Sequence, residues 1–296
     1  MKLPDRYATR LFLAGLIFCQ STLARDTLQR TPEQYEFKVM LAPAGFTSIE
    51  KGITGFQQAI SDVATELDVS FTKEESKHKN RVVTYLDTKA CHLKRNNFIL
   101  RKRFKFKDDI PVELKLTLKF RDNAIGVVSQ TPFVAQPSSA LTRSKFEADV
   151  VRNPSSSSLP QTKYSRSSSI ELGELDSISQ LLTLYPVLQV LETDGEPRLD
   201  DPDMKLERVN QFAAFETKIP IGTLQFGDAA CNASFSFWYA TPGKFTPVAA
   251  EFSYDCETES NAARRFHQAL LGLQDWVSPI ATTKTSIAYG DACGSV

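Results

Sequence analysis

Short runs in which apolar and polar side chains alternate make up most of the chain, and a period of two places successive side chains on opposite faces of a β-strand. Across residues 113–121 one face carries Glu113, Lys115, Thr117, Lys119 and Arg121, and the other Leu114, Leu116, Leu118 and Phe120. The same division recurs at 34–39, with Gln34, Glu36 and Lys38 set against Tyr35, Phe37 and Val39. It returns at 145–150 (Lys145, Glu147, Asp149 against Phe146, Ala148, Val150) and at 249–255 (Ala249, Glu251, Ser253, Asp255 against Ala250, Phe252, Tyr254). After Leu100, Arg101 and Arg103 share one face. Three segments switch to the spacing of three or four that marks an amphipathic helix. They are 48–67, with Ile49, Ile53, Phe56, Ile60, Val63 and Leu67 on its stripe, 175–191, and 260–277, with Ala263, Phe266, Leu270, Leu273 and Val277. Residues 153–169 are rich in Ser, hold two prolines and have few large apolar side chains, which predicts a surface loop. No internal repeat is visible.

A single strand with one charged face is the ordinary exposed edge of a half-buried sheet. Four or five of them together leave two geometries open when the sheet curls. Either the apolar faces point inward and the charges are solvated, or the charges line the interior and helices cover an apolar exterior. In the second case the interior charges must be paired or hold ions, because isolated buried charges are very costly. Basic side chains around a polyanion and carboxylates around divalent cations would satisfy that requirement.

Composition narrows the chemistry. The 296 residues include 35 Lys plus Arg and 35 Asp plus Glu, so no overall positive field draws the protein to nucleic acid or to a membrane surface. With only 3 His, and none at metal-ligand spacing, a site built on several imidazoles is excluded. Residues 1–24 have the form of a secretory signal: Lys2, Arg6 and Arg10, an apolar run from Leu11 to Phe18, then Thr22-Leu23-Ala24. The expectation is one domain over residues 25–296, secreted or periplasmic, with no membrane association after removal of the signal. Four cysteines remain, an even number for an oxidising compartment. Residues 234–239 and 248–254 flank Thr241-Pro242-Gly243-Lys244, a turn signal that puts Cys231 and Cys256 near the open end of a hairpin. That predicts a Cys231–Cys256 disulfide and leaves Cys91 to pair with Cys293.

The order of motifs resembles the CYTH superfamily, the triphosphate tunnel metalloenzymes. Gln34-Tyr35-Glu36-Phe37-Lys38 is similar to the opening Glu-x-Glu-x-Lys strand of that family, with Gln34 in place of the first acid. Residues 81–88 and Leu100-Arg101-Lys102-Arg103 resemble its Tyr-x-Asp-Thr and Leu-Arg-x-Arg stretch. Thr117-Leu118-Lys119 resembles its Thr-x-Lys strand, Lys145-Phe146-Glu147-Ala148-Asp149 its Arg-x-Glu-x-Glu strand, and Lys284-Thr285-Ser286 with Tyr289 its closing segment. The resemblance spans residues 34–290. It implies an eight-stranded antiparallel barrel forming a tunnel with a charged interior, covered by about three helices.

The resemblance further implies that Glu36, Glu147, Asp149 and Glu251 hold Mg²⁺ or Mn²⁺. Lys38, Arg101, Arg103, Lys119, Lys145 and Lys284 would bind phosphate, with Arg208 and Lys218 as further candidates. Carboxylates suit hard cations, and a metal-oriented water needs no Ser, Cys or His nucleophile. The expected activity is metal-dependent hydrolysis of inorganic tripolyphosphate or an organic triphosphate. The rival is a non-catalytic protein of the same fold that binds polyphosphate or another polyanion, and a third reading is a β-rich exported interaction domain with its charges in solvent.

Overall fold

The computed structural model describes residues 31–293, except 75–76, 108–109, 138–140, 157–158, 172–174, 176, 192–197, 202 and 245. The signal segment expected at 1–24 lies outside the described residues. Ten strands form one sheet: β1 (Gln34–Leu41), β2 (Ser70–Lys73), β3 (Lys79–Asp87), β4 (Phe98–Lys107), β5 (Ile110–Asp122), β6 (Leu141–Arg152), β7 (Pro160–Glu171), β8 (Glu207–Phe226), β9 (Ala229–Tyr239) and β10 (Ala249–Cys256). Their order is β2-β8-β3-β4-β5-β7-β6-β1-β10-β9, and a further β8–β9 pairing closes nine of them into a barrel with β2 outside. The barrel therefore has one strand more than the expected eight. It is also not wholly antiparallel: β1 runs parallel to β6, Gln34 opposite Glu147 and Glu36 opposite Asp149.

The outside strand β2 joins the sheet through the length of β8, which spans 20 residues. Its first part pairs with β3 and its last part with β2, while β9 runs along the other side. The handover lies at Pro220 and Gly222, where the register with β9 shifts. Gly222 has φ +134°, and a Cβ there would sit 2.0 Å from the Thr72 carbonyl oxygen, so only glycine fits the bend.

Of the two barrel geometries, the second is realised. Phe37 and Val39 of β1, Phe235 and Phe237 of β9 and Phe252 and Tyr254 of β10 all point away from the barrel axis and are fully buried. Two helices cover them, α1 (Ile49–Glu66) through Phe56, Ile60 and Val63, and the long C-terminal helix (Asn261–Leu271) through Phe266 and Leu270. Each such side chain contributes about 2 kcal/mol by burial. On the opposite flank, Leu116, Leu118, Phe146 and Ile170 pack beneath a helix at Ile178–Leu184, joined by Val128 of a short helix at Ile125–Gln130. In chain order the remaining helices are therefore α2 (His92–Arg95), α3 (Ile125–Gln130), α4 (Ile178–Leu184), α5 (Asn261–Leu271) and α6 (Lys284–Tyr289).

Two of the three expected helices are shorter than their periodicity predicted. The segment 175–191 is split because Pro186 cannot continue α4; Tyr185 before it has left the helical region at φ −132° and ψ 80°, and a 3₁₀ turn follows over Pro186–Val190. The third helix stops at Gly272, so Val277 sits outside it, bridged to Leu41. The larger correction concerns 153–169. From Pro160 onward the segment is β7, paired on both sides with β5 and β6. Its serines concealed it: Ser165, Ser167, Ser168 and Ser169 are all buried although none is apolar.

Both expected disulfides are present, Cys231–Cys256 at a directly opposed pair of β9 and β10, and Cys91–Cys293. The second fastens the end of the chain to the start of α2. Beside it, the Tyr289 hydroxyl donates to Asp87 at 3.3 Å, so α6 is anchored twice. The two bonds close loops of 25 and 202 residues. Loop-closure entropy then puts their contributions at about 3.5 and about 5 kcal/mol respectively. Guanidinium unfolding of Cys231→Ser/Cys256→Ser and Cys91→Ser/Cys293→Ser should show the larger loss in the second pair, and the reverse order would contradict this assignment.

Candidate functional site: the charged tunnel

Because most inward positions of the barrel strands are polar or small, with Met40, Tyr85, Ile99 and Val151 as the larger apolar side chains of the wall, the axis is a cavity of about 430 Å³ rather than a core. β1 contributes Gln34, Glu36 and Lys38; β4 Arg101 and Arg103; β5 Lys115, Thr117, Lys119 and Arg121. Arg143, Lys145 and Glu147 of β6, Glu216 and Lys218 of β8 and Glu251, Ser253 and Asp255 of β10 complete most of the wall. Lys284, at the start of α6, enters from outside the barrel. Ten of the twelve expected metal and phosphate residues thus share one cavity.

The exceptions are Asp149 and Arg208. Arg208 is exposed, on the far side of a bulge where Asn210 and Gln211 both take positive φ and the β3–β8 register shifts. The bulge reverses which face each residue presents, so alternation counted through it assigns the wrong side. Asp149 is buried, 1% exposed, beneath three cations: Lys38 at 2.7 Å, Lys119 at 3.0 Å and Arg121 at 2.7 Å.

The interior charges are organised in two groups. In the first, Lys38 reaches Glu36 at 2.5 Å besides Asp149, Lys119 lies 3.5 Å from Glu147, and Lys145 joins Glu147 and the Gln34 carbonyl oxygen. Burial alone would raise the Glu36 carboxyl, but Lys38 and Lys119 outweigh it and hold it down to about 2. Asp255, opposite Glu36 in the β1–β10 register, is pushed the other way, up to about 6, by burial and by the Glu36 charge. In the second group Glu216 is the hub. It pairs with Arg81, accepts from Ser236 at 2.7 Å and from the Trp238 indole at 3.1 Å, and lies 3.5 Å from Lys284. Lys284 in turn holds Glu251 at 2.7 Å.

Burial would raise Glu216, yet Lys284, Arg81, Arg103 and the Ser236 hydroxyl keep its carboxyl well below the ordinary 4.5. The unfolded chain then binds the extra proton as pH falls from that value, so the stability Glu216 confers is complete above about 4.5 and is lost as pH drops toward the folded value. Glu216→Gln should therefore be less stable than the parent at pH 7, with the gap narrowing at acid pH in urea titrations. A gap independent of pH would contradict it.

Between the two groups the wall is cationic, and Glu216, the carboxylate that acts on it, is already shared by Arg81 and Lys284. Arg101 and Arg103 make no ion pair or side-chain hydrogen bond among the described residues, and the Nε atom of each is buried and unpartnered. Burial, then Arg101 and Arg81, push the Arg103 guanidinium down to about 9. Such an arrangement is incomplete without an anion. Several wall residues were given no ligand role from the sequence: Arg81, Arg121, Arg143, Lys115, Glu216, Asp255, Ser167 and Ser169. The same period-two alternation marks them all, and only the serine strand and the long β8 obscured it.

Whether the oxygens present suit a divalent cation was tested on their arrangement. Among the described residues, the one group of three His, Cys, Asp or Glu ligand atoms within 4.8 Å is Asp87, Cys91 and Cys293, and its cysteines are joined to each other. The tunnel carboxylates are not gathered in this way; lysines occupy them. The opposed Glu36 and Asp255, with Glu147 and the Gln34 amide on the same wall, nevertheless form an all-oxygen set whose mutual repulsion a hard cation would relieve.

No protein-family model and no curated protein matches the sequence. Solved structures do match along most of the chain. A proposed adenylyl cyclase from Hippeastrum, described as having dominant triphosphatase activity, is 13% identical over 86% of this chain and 93% of its own, with a TM-score of 0.37. A proposed adenylate cyclase from Bacillus halodurans is 12% identical over 87% and 99%, TM-score 0.34. A protein from Pyrococcus horikoshii is 10% identical over 81% and 86%, TM-score 0.30.

Proposed function

We propose that the chain is a triphosphate tunnel protein, a metal-dependent phosphohydrolase acting on inorganic tripolyphosphate or a related triphosphate. The observation that carries this reading is the unpaired cationic wall. The Arg101 and Arg103 side chains are half-buried, with their Nε atoms fully buried, beside Arg81 and Lys115 in the cavity wall; neither makes an ion pair among the described residues, and a compact polyanion is the ligand that would neutralise them. Bidentate guanidinium contacts suit phosphate oxygens, and each charge-assisted hydrogen bond contributes about 1.5–3 kcal/mol.

Glu36, Asp255 and Glu147 are the residues that would hold Mg²⁺ or Mn²⁺, with Glu251 nearby on the same strand as Asp255. Once bound, such an ion supplies charge neutralisation at phosphoryl oxygens and an oriented water. The chain's own contribution is positioning. Lys38, Lys119, Lys145 and Lys284 now rest on carboxylates, and an arriving phosphate chain competes for the same ammonium groups. Moving a lysine from carboxylate to phosphate frees the carboxylate for a cation, so anion and metal should each strengthen the binding of the other. Asp149, enclosed by Lys38, Lys119 and Arg121, orients those cations and is not assigned to metal here. Export through the signal at 1–24 belongs to the same proposal; two disulfides and the absence of any helix, among the described residues, long and apolar enough to cross a membrane are compatible with it.

Phosphate release from tripolyphosphate by residues 25–296 with Mg²⁺, with Mn²⁺ and with EDTA tests the proposal. Turnover that needs the ion and is lost in Glu36→Gln supports it. Triphosphate-dependent stabilisation without turnover in any metal would leave a binding protein, a reading favoured by the occupancy of every expected metal carboxylate by a cation.

A further inference from the structure

At the end of the barrel where β6 and β7 leave Asp149, a second cavity of about 360 Å³ opens. It shares Ile99, Arg121, Arg152 and Thr283 with the first, so the two are separated by no more than a common wall. Four cations line it: Lys94, Arg121, Arg152 and Lys163. Its one acid, Asp122, is committed to the backbone N–H of Ala124 at 2.8 Å.

These cations are short of anions. Lys163 lies opposite Asp149 in the β6–β7 register, but Lys38, Lys119 and Arg121 already take the Asp149 oxygens, and Lys163 has no ion pair among the described residues. Burial, with Arg121 and Lys94 nearby, lowers its pKa. The Nε atoms of Arg121 and Arg152 are buried without a partner, and Lys94 rests only over the Tyr289 ring, 5.9 Å from its centroid. Among the described residues no aromatic side chain lines the cavity, so they offer no stacking platform of the kind that recognition of a nucleobase uses.

We propose that this cavity is a second anion subsite, taking the far end of a condensed phosphate chain whose first phosphates lie against Arg101 and Arg103. The preferred ligand of the tunnel is then a linear polyphosphate longer than three phosphates, an inference that rests on the triphosphate reading of the main cavity. Lys94 and Lys163 line only the second cavity, which makes them the selective probes.

The experiment is calorimetric titration of residues 25–296, in EDTA, with tripolyphosphate, size-fractionated linear polyphosphate and ATP. The same titrations are run on Lys94→Ala/Lys163→Ala, with thermal melts to verify folding. The longer chain should bind the parent at least about tenfold more tightly than tripolyphosphate, one charge-assisted contact's worth. The double variant should keep its tripolyphosphate affinity and lose that advantage. Equal affinities in the parent, or an advantage that survives in the double variant, would overturn the inference while leaving the triphosphate reading in place. ATP binding that matches polyphosphate and falls in the double variant would overturn it in favour of an organic tail. Absence of tripolyphosphate binding to the parent would overturn both.

Discussion

Asp149→Asn should lower the unfolding free energy by about 3–5 kcal/mol, the usual cost of stranding buried charges, and tripolyphosphate should restore a large part of it. Asp149 is 1% exposed, and Lys38, Lys119 and Arg121 converge on it within 3.0 Å. Burial opposes its ionisation, but Lys119, Lys38 and Arg121 hold its carboxyl well below the ordinary range. Neutralising it leaves three cations facing one another. All three also line the cavity, so a bound polyanion can replace the missing charge. At a ligand concentration a hundred times Kd the recovery is about 2.7 kcal/mol. Urea unfolding with and without tripolyphosphate measures both effects. A loss below about 1 kcal/mol, or no recovery, would mean that Asp149 does not serve as the shared counterion.

Arg103→Met should act in the opposite sense on the two quantities. Arg103 is half-buried beside Arg101 and Arg81, and its guanidinium is pushed down to about 9 by desolvation and by those neighbours, against the pull of Glu216. Its folded value lies below its unfolded one, so the unfolded chain holds the proton more tightly and the charged form opposes folding at every pH below about 9. An apolar side chain of similar length should stabilise the ligand-free protein by about 1–3 kcal/mol. The same change removes up to two phosphate contacts, about 3 kcal/mol or a hundredfold in affinity. A variant that is more stable yet no longer stabilised by tripolyphosphate is the signature of a residue kept for its ligand. A variant that is less stable and binds normally would show that Arg103 is structural.

The amphipathic strands were the most legible part of the chain. Once five of them showed one charged and one apolar face, the sequence left two barrels, and the helical stripes at 48–67 and 260–277 supplied covers for the apolar faces. Ten residues that line the cavity were named from that alternation together with the family resemblance. The failures have local causes. β7 carries serine where a strand normally carries large apolar or charged side chains, because its inward Ser165, Ser167 and Ser169 leave room for the cavity, and Ser168 interrupts the outward face of Tyr164, Arg166 and Ile170. Arg208 was assigned through the family resemblance alone, and the bulge at Asn210 and Gln211 that sets it apart from the cavity cannot be seen in the sequence. Asp149 shared a face with Glu147 but sits where three cations meet, and period-two counting carries no information about which carboxylate a lysine from another strand will choose. The parallel β1–β6 pairing was equally invisible, since alternation is the same for either direction. The Cys231–Cys256 bond, by contrast, needed only the turn between β9 and β10.

Isothermal titration of tripolyphosphate into residues 25–296 in EDTA, at low and at high salt, beside Arg103→Met, asks whether the tunnel is an anion site at all. One ligand per chain, weaker at high salt and about a hundredfold weaker in Arg103→Met, is the expected result. No detectable binding to the parent at low salt, or binding that Arg103→Met leaves unchanged, would mean that the unpaired guanidinium groups of the barrel do not exist to hold a phosphate chain.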